Sequence, residues 1–232
     1  MATPSISALD VRQMLDFVGR KIIAQEASLN SLDAAVGDGD HGITMRLGFQ
    51  AISDALSELD PGVGLDVIFR KAGMSFMGTT GGAIGVIFGK MLVSAAGALH
   101  GVERFGTVEF KILLREMELA VMNTGKARVG DKTILDAVHA ANQAMSSPAA
   151  QDTVDLALAV STAASAAEKA AQDTAGMVCR VGRGSRLGAR TLGCPDPGAV
   201  SFSIILGAMA GWLADQGPMF GGRNWKKHEN CN

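Results

Sequence analysis

The segment Asp33-Ala34-Ala35-Val36-Gly37-Asp38-Gly39-Asp40-His41-Gly42 interrupts a chain that is otherwise patterned for helices. It holds three carboxylates, those of Asp33, Asp38 and Asp40, within eight residues. Such crowding is unfavourable unless a cation lies among the carboxylates, and carboxylate oxygens are the ligands that Mg²⁺ and Ca²⁺ prefer. The segment therefore predicts a hard-metal site, which the rest of the fold must present.

Three other interpretations of this segment compete with the metal site. Gly37-x-Gly39-x-x-Gly42 has the spacing of a dinucleotide fingerprint, but two variable positions are aspartates and no strand is expected before it. Asp38-x-Asp40-x-Gly42 resembles the start of a calcium loop, yet Phe49 occupies the position of the final glutamate. An aspartate-rich turn that caps a helix from Ile43 onward stays open.

A helix that begins just after Gly42 would turn free N–H groups and its positive dipole end toward an anion, and Thr44 could add a hydroxyl donor. Together with a metal, these groups suit a nucleotide polyphosphate. A Walker A motif is missing, because Gly85 and Gly89-Lys90 have the wrong spacing and Met91 replaces serine or threonine. We therefore expect any kinase chemistry to use a different fold.

Apolar residues recur at three- and four-residue steps along most of the chain, as in amphipathic helices. The pattern predicts about eight helices, at 7–26, 45–59, 65–76, 84–99, 108–122, 134–145, 154–179 and 200–213. Ser7 and Asp10 are spaced to cap the first helix. Alternating Val/Ile/Thr-rich runs bounded by turns are missing, so no strand is expected. The predicted fold class is all-α, in a single domain.

Glycine accounts for 29 of the 232 residues, although it destabilises helix interiors. Much of the surplus falls in five clusters between the predicted helices, at 36–42, 78–85, 124–132, 181–188 and 192–198. Backbone freedom and close approach of a ligand are the uses of glycine in such connections. Gly81-Gly82-Ala83-Ile84-Gly85 could admit a phosphate to the backbone or simply form a tight turn, and Gly182-Arg183-Gly184-Ser185-Arg186 offers guanidinium groups.

Charge and cysteine content narrow the function further. The 21 Lys and Arg residues nearly balance the 23 Asp and Glu residues, which leaves no broad basic face for nucleic acid. Cys179, Cys194 and Cys231 lack metal-site spacing and are expected to be free thiols in a reducing cytoplasm. Neither a leader-like N-terminus nor an apolar run of membrane-spanning length is apparent, so no membrane is expected. Residues 1–216 are expected to form the helical domain and 217–232 a flexible tail.

Five motifs follow one another along the chain: Gly37-Asp38-Gly39-Asp40-His41-Gly42, Gly81-Gly82-Ala83-Ile84-Gly85, Gly125-Lys126-Ala127 with Gly130-Asp131-Lys132-Thr133, Gly182-Arg183 with Leu187-Gly188, and Asp196-Pro197-Gly198-Ala199. In this order and spacing they resemble the DhaL family, the nucleotide-binding subunits of dihydroxyacetone kinases and the C-terminal domains of one-chain dihydroxyacetone kinases. The resemblance runs from about Ser7 to Leu213. It implies an eight-helix up-and-down barrel with the nucleotide at one end.

The resemblance also implies the roles of individual residues. Asp33, Asp38 and Asp40 would hold two Mg²⁺ ions that bridge the phosphates of ADP or ATP. The nucleotide would lie among His41, Gly42, Ile43, Thr44, Ala83, Ile84, Gly125, Thr133, Ile134, Arg183, Asp196, Pro197 and Gly198. The catalytic residues would be Arg183, as a phosphate clamp, and His41, as a donor near the phosphates.

Members of the DhaL family work with a DhaK-type partner, on which a histidine binds dihydroxyacetone covalently. The resemblance implies such a partner here, since this chain has four histidines and no second domain for the substrate. It leaves open whether the phosphoryl donor is exchanged ATP or a DhaM-type phosphoprotein that recharges bound ADP. It also leaves open whether the chain forms a homodimer.

Several positions depart from the usual pattern of the family, among them Ile134, where methionine is common. Ile84 stands where serine is common, which predicts weaker phosphate binding at that loop, and Cys194-Pro195 replaces a His-Gln pair. The metal site is intact, so the sequence predicts the nucleotide- and Mg²⁺-binding subunit of a dihydroxyacetone-type kinase. A tetrulose is an alternative substrate, and a non-catalytic nucleotide-binding module that contacts a transcription regulator is an alternative function.

Overall fold

The computed structural model describes residues 5–147 and 155–215. These ranges contain nine α-helices: α1 Ala8–Ile23, α2 Glu26–Val36, α3 His41–Ser57, α4 Leu65–Thr79, α5 Gly82–Ala98, α6 Thr107–Gly125, α7 Ile134–Ser146, α8 Leu156–Asp173 and α9 Pro197–Asp215. Two stretches of 3-10 helix, Thr174–Gly176 and Arg183–Thr191, lie between α8 and α9. The prediction of an all-α fold is confirmed.

Eight of these helices form a closed ring in the order α1, α3, α4, α5, α6, α7, α8 and α9, and α9 packs back against α1. Buried apolar side chains from the whole ring form one core. Phe76 lies in this core between Phe49, at a centroid distance of 5.9 Å, and Phe88, at 5.7 Å. The helix α2 is the ninth and lies outside the ring, against the start of α3. The ring has the eight helices that the family resemblance implies.

The first helix begins as the sequence predicts, but the chain then departs from the prediction. Ser7 and Asp10 form a capping box at the start of α1, in which the Asp10 N–H donates to Ser7 Oγ at 3.2 Å. The predicted helix 7–26 ends at Ile23, and α2 follows as a separate helix that was not predicted. Only Leu29 and Val36 of α2 are buried, so its sequence carries no apolar stripe to detect.

Other boundaries shift toward the glycine clusters. The helix α3 begins at His41, about one turn before the predicted start at 45, and α5 begins at Gly82, about half a turn before the predicted start at 84. The helix predicted at 154–179 begins at Leu156 within the described residues and ends at Asp173, so that Cys179 lies in a loop. Two short antiparallel strands were also not predicted, β1 at Ile6–Ser7 and β2 at Arg104–Phe105, because two residues are too few to show alternation.

The helix α9 is long and apolar enough to cross a membrane, and it is the one helix of the described ranges that meets this criterion. Half of its apolar stretch is buried against other helices of the ring, as is usual for a core helix. The flexible tail predicted at 217–232 and the thiol of Cys231 lie outside the described residues. Cys179 and Cys194 are free thiols, as predicted.

Candidate nucleotide and metal site

Four helix N-termini, those of α3, α5, α7 and α9, meet at one end of the ring. Their first-turn residues His41, Ala83, Ile134 and Pro197 line one cavity of about 490 Å³. The five glycine clusters meet at the same end, because each contributes a residue to this cavity or to the neighbouring one. Helix N-termini carry partial positive charge and unpaired N–H groups, so this end of the ring is suited to an anion.

Two adjoining cavities form the site. The large cavity, of about 490 Å³, has a mainly apolar wall that includes Val36, Ile87, Phe88, Val121, Ile134 and Val181. The small cavity, of about 370 Å³, is lined by Asp40, Thr44, Gly81, Gly82, Ala83, Ile84 and Arg183. Ala83, Ile84 and Arg183 line both cavities, so the two spaces are continuous at this boundary. One elongated ligand with an apolar end and an anionic end fits such a shape.

The three aspartates predicted as metal ligands come together beside the cavities, with Asp40 lining the small cavity and Asp33 the large one. One carboxylate oxygen from each of Asp33, Asp38 and Asp40 lies within 4.8 Å of the others. Asp33, near the end of α2, also shapes the turn, since its Oδ2 accepts hydrogen bonds from the N–H groups of Gly39, at 2.9 Å, and Asp40, at 3.0 Å. Gly39 has a φ of +79°, a conformation that favours glycine.

The carboxylate of Asp40 is not used to cap α3. Although Asp40 precedes the first residue of α3, its side chain makes no capping bond. Asn30 of α2 provides that contact instead, because its Oδ1 accepts a hydrogen bond from the Ile43 N–H at 3.1 Å. Asp40 Oδ1 is shielded from solvent and has no hydrogen-bond partner among the described residues. A shielded carboxylate oxygen without a donor is costly, and a hard cation would satisfy it, so the residues fit a metal ion.

Arg183 connects the carboxylates with the boundary between the two cavities. Its Nη1 pairs with Asp38 Oδ2, and its Nη2 lies 3.9 Å from Asp40 Oδ1. The guanidinium group is half exposed and lines both cavities. It is therefore available to an anion that lies beside the three aspartates. Its role as a phosphate clamp stays a prediction.

The four helix N-termini differ in whether their N–H groups are free. Thr133 Oγ1 caps α7 by accepting a bond from the Leu135 N–H at 3.2 Å, and Asp196 Oδ2 accepts the Ala199 N–H of α9 at 2.8 Å. The starts of α3 and α5 have no cap from the residue that precedes them. At α3 the Ile43 N–H is instead bonded to Asn30, so the start of α5 is the uncapped one. Its residues Gly82 and Ala83 line the small cavity, which is therefore the better anion site.

His41 lies at the boundary between the site and the core. Its side chain is buried, and its Nε2 is 3.0 Å from Ser201 Oγ on α9. Burial lowers the pKa of His41 to about 4, so the imidazole is neutral near pH 7. The ring therefore links α3 to α9 and lines the large cavity. Its role as a donor to phosphate stays a prediction.

Asp196 and Cys179 are partly buried groups of the cavity wall whose pKa values are shifted. Burial raises the pKa of Asp196 to about 7, despite the hydrogen bond from Ala199. Burial likewise raises the pKa of the Cys179 thiol, whose Sγ donates to the Val181 carbonyl oxygen at 3.1 Å. Cys179 is therefore an unreactive part of the wall rather than a nucleophile.

Most of the predicted nucleotide-binding residues line a cavity, but two do not. The large cavity is lined by His41, Ala83, Ile84, Gly125, Thr133, Ile134, Arg183, Asp196, Pro197 and Gly198, and the small cavity by Thr44. Gly42 and Ile43 line neither. A Cβ at Gly42 would overlap the Glu26 carbonyl oxygen, which indicates that this glycine permits the close contact of α2 with α3.

Sequence reasoning missed the apolar wall and the buried Lys132. Val36, Ile87, Phe88 and Val121 have the helical spacing of ordinary core residues, so nothing in the sequence marks them as cavity residues. Lys132 lies in the motif Gly130-Asp131-Lys132-Thr133, for which the sequence suggests no individual role. A lysine between aspartate and threonine in a short glycine-containing connection was the available signal.

Comparison with known proteins agrees with this geometry. Residues 35–211 match the DAK2 domain family. The chain is 32% identical over 207 residues to the Escherichia coli "PEP-dependent dihydroxyacetone kinase, ADP-binding subunit DhaL", covering 89% of this chain and 97% of that subunit. It is 33% identical over 193 residues to the "L-erythrulose kinase" of Pectobacterium atrosepticum, covering 83% of this chain and 32% of that protein.

A solved structure has the same fold. The dihydroxyacetone kinase from C. freundii, in complex with AMP-PNP and Mg²⁺, superposes with a TM-score of 0.67 at 24% sequence identity. The match covers 90% of this chain and 35% of that chain, so the present chain corresponds to about a third of the one-chain kinases. By sequence over most of its length, the chain belongs to the DAK2 domain family, which includes the DhaL subunits.

Proposed function

We propose that the chain is the nucleotide- and Mg²⁺-binding subunit of a cytoplasmic kinase that phosphorylates dihydroxyacetone or a related short ketose held on a DhaK-type partner. The observation that carries this proposal is the group of three aspartates and Arg183 beside the small cavity, which is lined by Asp40, by Arg183 and by the uncapped start of α5. The name of the E. coli relative, an ADP-binding subunit of a dihydroxyacetone kinase, supports it.

The two cavities suggest the orientation of the nucleotide. The large cavity is mainly apolar and suits an adenine ring, which buries well against side chains such as Ile87 and Ile134. The phosphates then extend past Arg183 into the small cavity, where the N–H groups of Gly82 and Ala83 at the start of α5 can donate to them. This orientation brings the terminal phosphate close to Asp40 and Arg183.

Phosphoryl transfer needs positioning and charge neutralisation rather than a covalent protein intermediate. Asp33, Asp38 and Asp40 would hold Mg²⁺, which would neutralise charge across the phosphates when bound. Arg183 supplies a further positive charge at the same place, and the starts of α3 and α5 orient the phosphate oxygens. In this arrangement the three aspartates would act as metal ligands and not as proton acceptors.

The acceptor is proposed to come from a second polypeptide. This chain covers 97% of the E. coli relative, which is named as a subunit, and 32% of the erythrulose kinase. A DhaK-type partner would supply the ketose. Both dihydroxyacetone and a tetrulose are retained as acceptors, because relatives are named for each.

The first experiment measures nucleotide binding by calorimetry, with ADP and with ATP, each with and without Mg²⁺. We expect Mg²⁺-dependent binding to the wild type and a loss of about 100-fold or more in Asp38→Ala and Asp40→Ala, since ligand removal exceeds the effect of removing supporting residues. The exposed Asp54 of α3 provides the matched control, Asp54→Ala, which should bind like the wild type. Absence of nucleotide binding by the wild type would overturn the proposal.

A second experiment separates a kinase subunit from a regulatory module. The chain is mixed with a DhaK-type partner and either dihydroxyacetone or erythrulose, and the phosphorylated ketose is measured with ATP or a phosphoprotein as donor. Turnover that requires both chains supports the kinase. Nucleotide binding without turnover under every donor and acceptor would favour the non-catalytic alternative.

A further inference from the structure

Lys132 is a buried cation beside the large cavity that the proposed phosphoryl transfer does not use. Its side chain is only 2% exposed. Its backbone has a φ of +61°, a left-handed conformation that residues with side chains rarely adopt. Such conformations persist when the surrounding structure requires them, and they concentrate at functional sites. The burial and the backbone conformation of Lys132 therefore indicate that this residue has a function.

The ammonium group of Lys132 is enclosed by backbone carbonyl oxygens. Its Nζ donates to the carbonyl oxygens of Thr174 and Thr191, both at 2.8 Å, and of Cys194, at 2.5 Å. Three acceptors match the three hydrogens of an ammonium ion, whereas a neutral amine would leave one carbonyl unpaired. Burial lowers the pKa of Lys132, and the nearby Asp196 opposes this shift.

The three carbonyl groups belong to one long loop, residues 174–196, here called the pocket loop. Its two ends are held together by hydrogen bonds from the Gly193 N–H to the Ala175 carbonyl oxygen and from the Asp196 N–H to Thr174 Oγ1, both at 2.8 Å. Lys132 thus lies at the neck of the loop, where the chain enters and leaves. Without the ammonium group, the three carbonyl oxygens would point at one another without a hydrogen-bond donor between them, which is unfavourable.

The pocket loop forms a wall of both cavities. Residues Cys179, Val181, Gly182, Arg183 and Gly184 of this loop line the large cavity, and Arg183 also lines the small one. A backbone hydrogen bond from the Arg180 N–H to the Asp131 carbonyl oxygen, at 3.1 Å, ties the loop to the residue before Lys132. The position of Arg183 therefore depends on how the loop is anchored beside α7.

We propose that Lys132 is a positioning residue for the nucleotide site, whose ammonium group gathers the neck of the pocket loop and so sets Arg183 at the boundary of the two cavities. This inference rests on the proposed function, because the purpose of the positioned loop is to bind a nucleotide. Lys132 touches neither the phosphates nor the metal ligands in this arrangement. It acts through the loop, as an internal monovalent cation bound by carbonyl oxygens.

The test uses the full chain and the variant Lys132→Met, which keeps an unbranched side chain but removes the charge. The matched control is Lys126→Met, because Lys126 lies in the same connection, also has a positive φ of 50°, and is exposed. Calorimetry with ADP and Mg²⁺ should show binding weakened about tenfold or more in Lys132→Met, since loss of positioning around a site has effects of this size. Lys126→Met should bind like the wild type.

Two further measurements separate positioning from general stability. The pocket loop contains four trypsin sites, at Arg180, Arg183, Arg186 and Arg190, so brief trypsin treatment without nucleotide should cut Lys132→Met there faster than the control. Lys132→Gly accepts the positive φ and leaves the carbonyl site open. Ammonium chloride should therefore slow its cleavage and strengthen its ADP binding, relative to the same concentration of a tetramethylammonium salt.

The outcomes distinguish this inference from the proposed function. If the wild type does not bind ADP, the proposed function fails, while loop cleavage still tests the anchoring of the neck. If Lys132→Met binds ADP and resists trypsin as well as the wild type, the inference is wrong. Lys132 is also excluded as a positioning residue if both variants unfold and ammonium restores nothing to Lys132→Gly, because the residue would then serve folding alone.

Discussion

The small and large cavities of the site are built in different ways. The small cavity is lined by Asp40 and Arg183, and Asp33 and Asp38 of the same short segment bring their carboxylates close to that of Asp40. The large cavity is a mainly apolar space whose wall comes from residues as distant as Val36 and Pro197. Local chemistry therefore marks one half of the site, and helix packing creates the other.

This difference indicates how the two halves should respond to mutation. Changes in the small cavity alter charge and should affect ligands that carry phosphates. Changes in the large cavity alter apolar contact and should affect the nucleoside part alone. ADP and adenosine are thus a matched pair of ligands, because the second lacks the phosphates that the small cavity is proposed to bind.

Arg183→Met should have the largest effect. If it weakened the binding of ADP and adenosine equally, the proposed difference between the small and large cavities would be wrong. We expect phosphoryl transfer in the reconstituted system to fall about 100-fold or more, because the variant loses charge stabilisation in the transition state. ADP binding should weaken while adenosine binding stays unchanged. Arg186 lies in the same 3-10 stretch and is also exposed, so Arg186→Met is the control. Equal losses for both variants would contradict a specific role for Arg183.

Ile134→Ala should have an intermediate effect and, unlike Arg183→Met, should not distinguish ADP from adenosine. Ile134 begins α7, is 6% exposed and lines the large cavity. We expect ADP and adenosine binding to weaken alike, by about tenfold, because the lost apolar contact is common to both ligands. Ile52→Ala, in the core at 1% exposure, should also destabilise the protein but leave binding unchanged. A loss confined to ADP would show that the large cavity does not hold the nucleoside.

Asp196→Asn should have the smallest effect, on stability and its pH dependence. Since burial raises the pKa of Asp196 to about 7, the folded protein keeps a proton that the unfolded chain loses from about pH 4 upward. The free energy of unfolding therefore decreases as the pH rises from about 4 to about 7, because the ionisation of this group favours the unfolded chain. Asparagine can still accept the Ala199 N–H but carries no charge.

The variant should consequently gain about 1 kcal/mol over the wild type between pH 6 and pH 8, as linkage predicts for a group with this pKa. Urea unfolding at both pH values measures the difference. The exposed Asp215 at the end of α9 supplies the control, Asp215→Asn, for which the difference should not depend on pH. The same result for both variants would show that Asp196 is not held in a low-polarity environment.

Much of the charged half of the site could be predicted from the sequence. Three aspartates next to glycines in one segment predict a metal site wherever the chain places them, and their carboxylates do converge. Two details needed the structure. The Asp33 carboxylate accepts hydrogen bonds from two N–H groups of its own turn. The start of α3 is capped by Asn30 and not by Asp40.

The apolar half and the pocket loop could not be predicted from residue patterns. Val121 and Phe88 have the spacing of core residues, and whether such a side chain faces a filled core or an open cavity depends on how the helices pack. The helical pattern of 154–179 continues past Asp173, but the chain leaves the helix and its carbonyl groups turn to Lys132. A long-range contact of this kind overrides local helical preference.

The sequence by itself determined the helical fold, the aspartate site and the glycine-rich connections, because periodicity, charge crowding and backbone freedom act over a few neighbouring residues. Closure of the helices into a ring decided the rest. It brings four helix N-termini to one end and leaves the start of α5 uncapped at the cavity that Asp40 lines. It also buries Lys132 under a loop more than 40 residues away in sequence. Burial and the direction of a helix end are properties of packing, so only the tertiary structure could decide them.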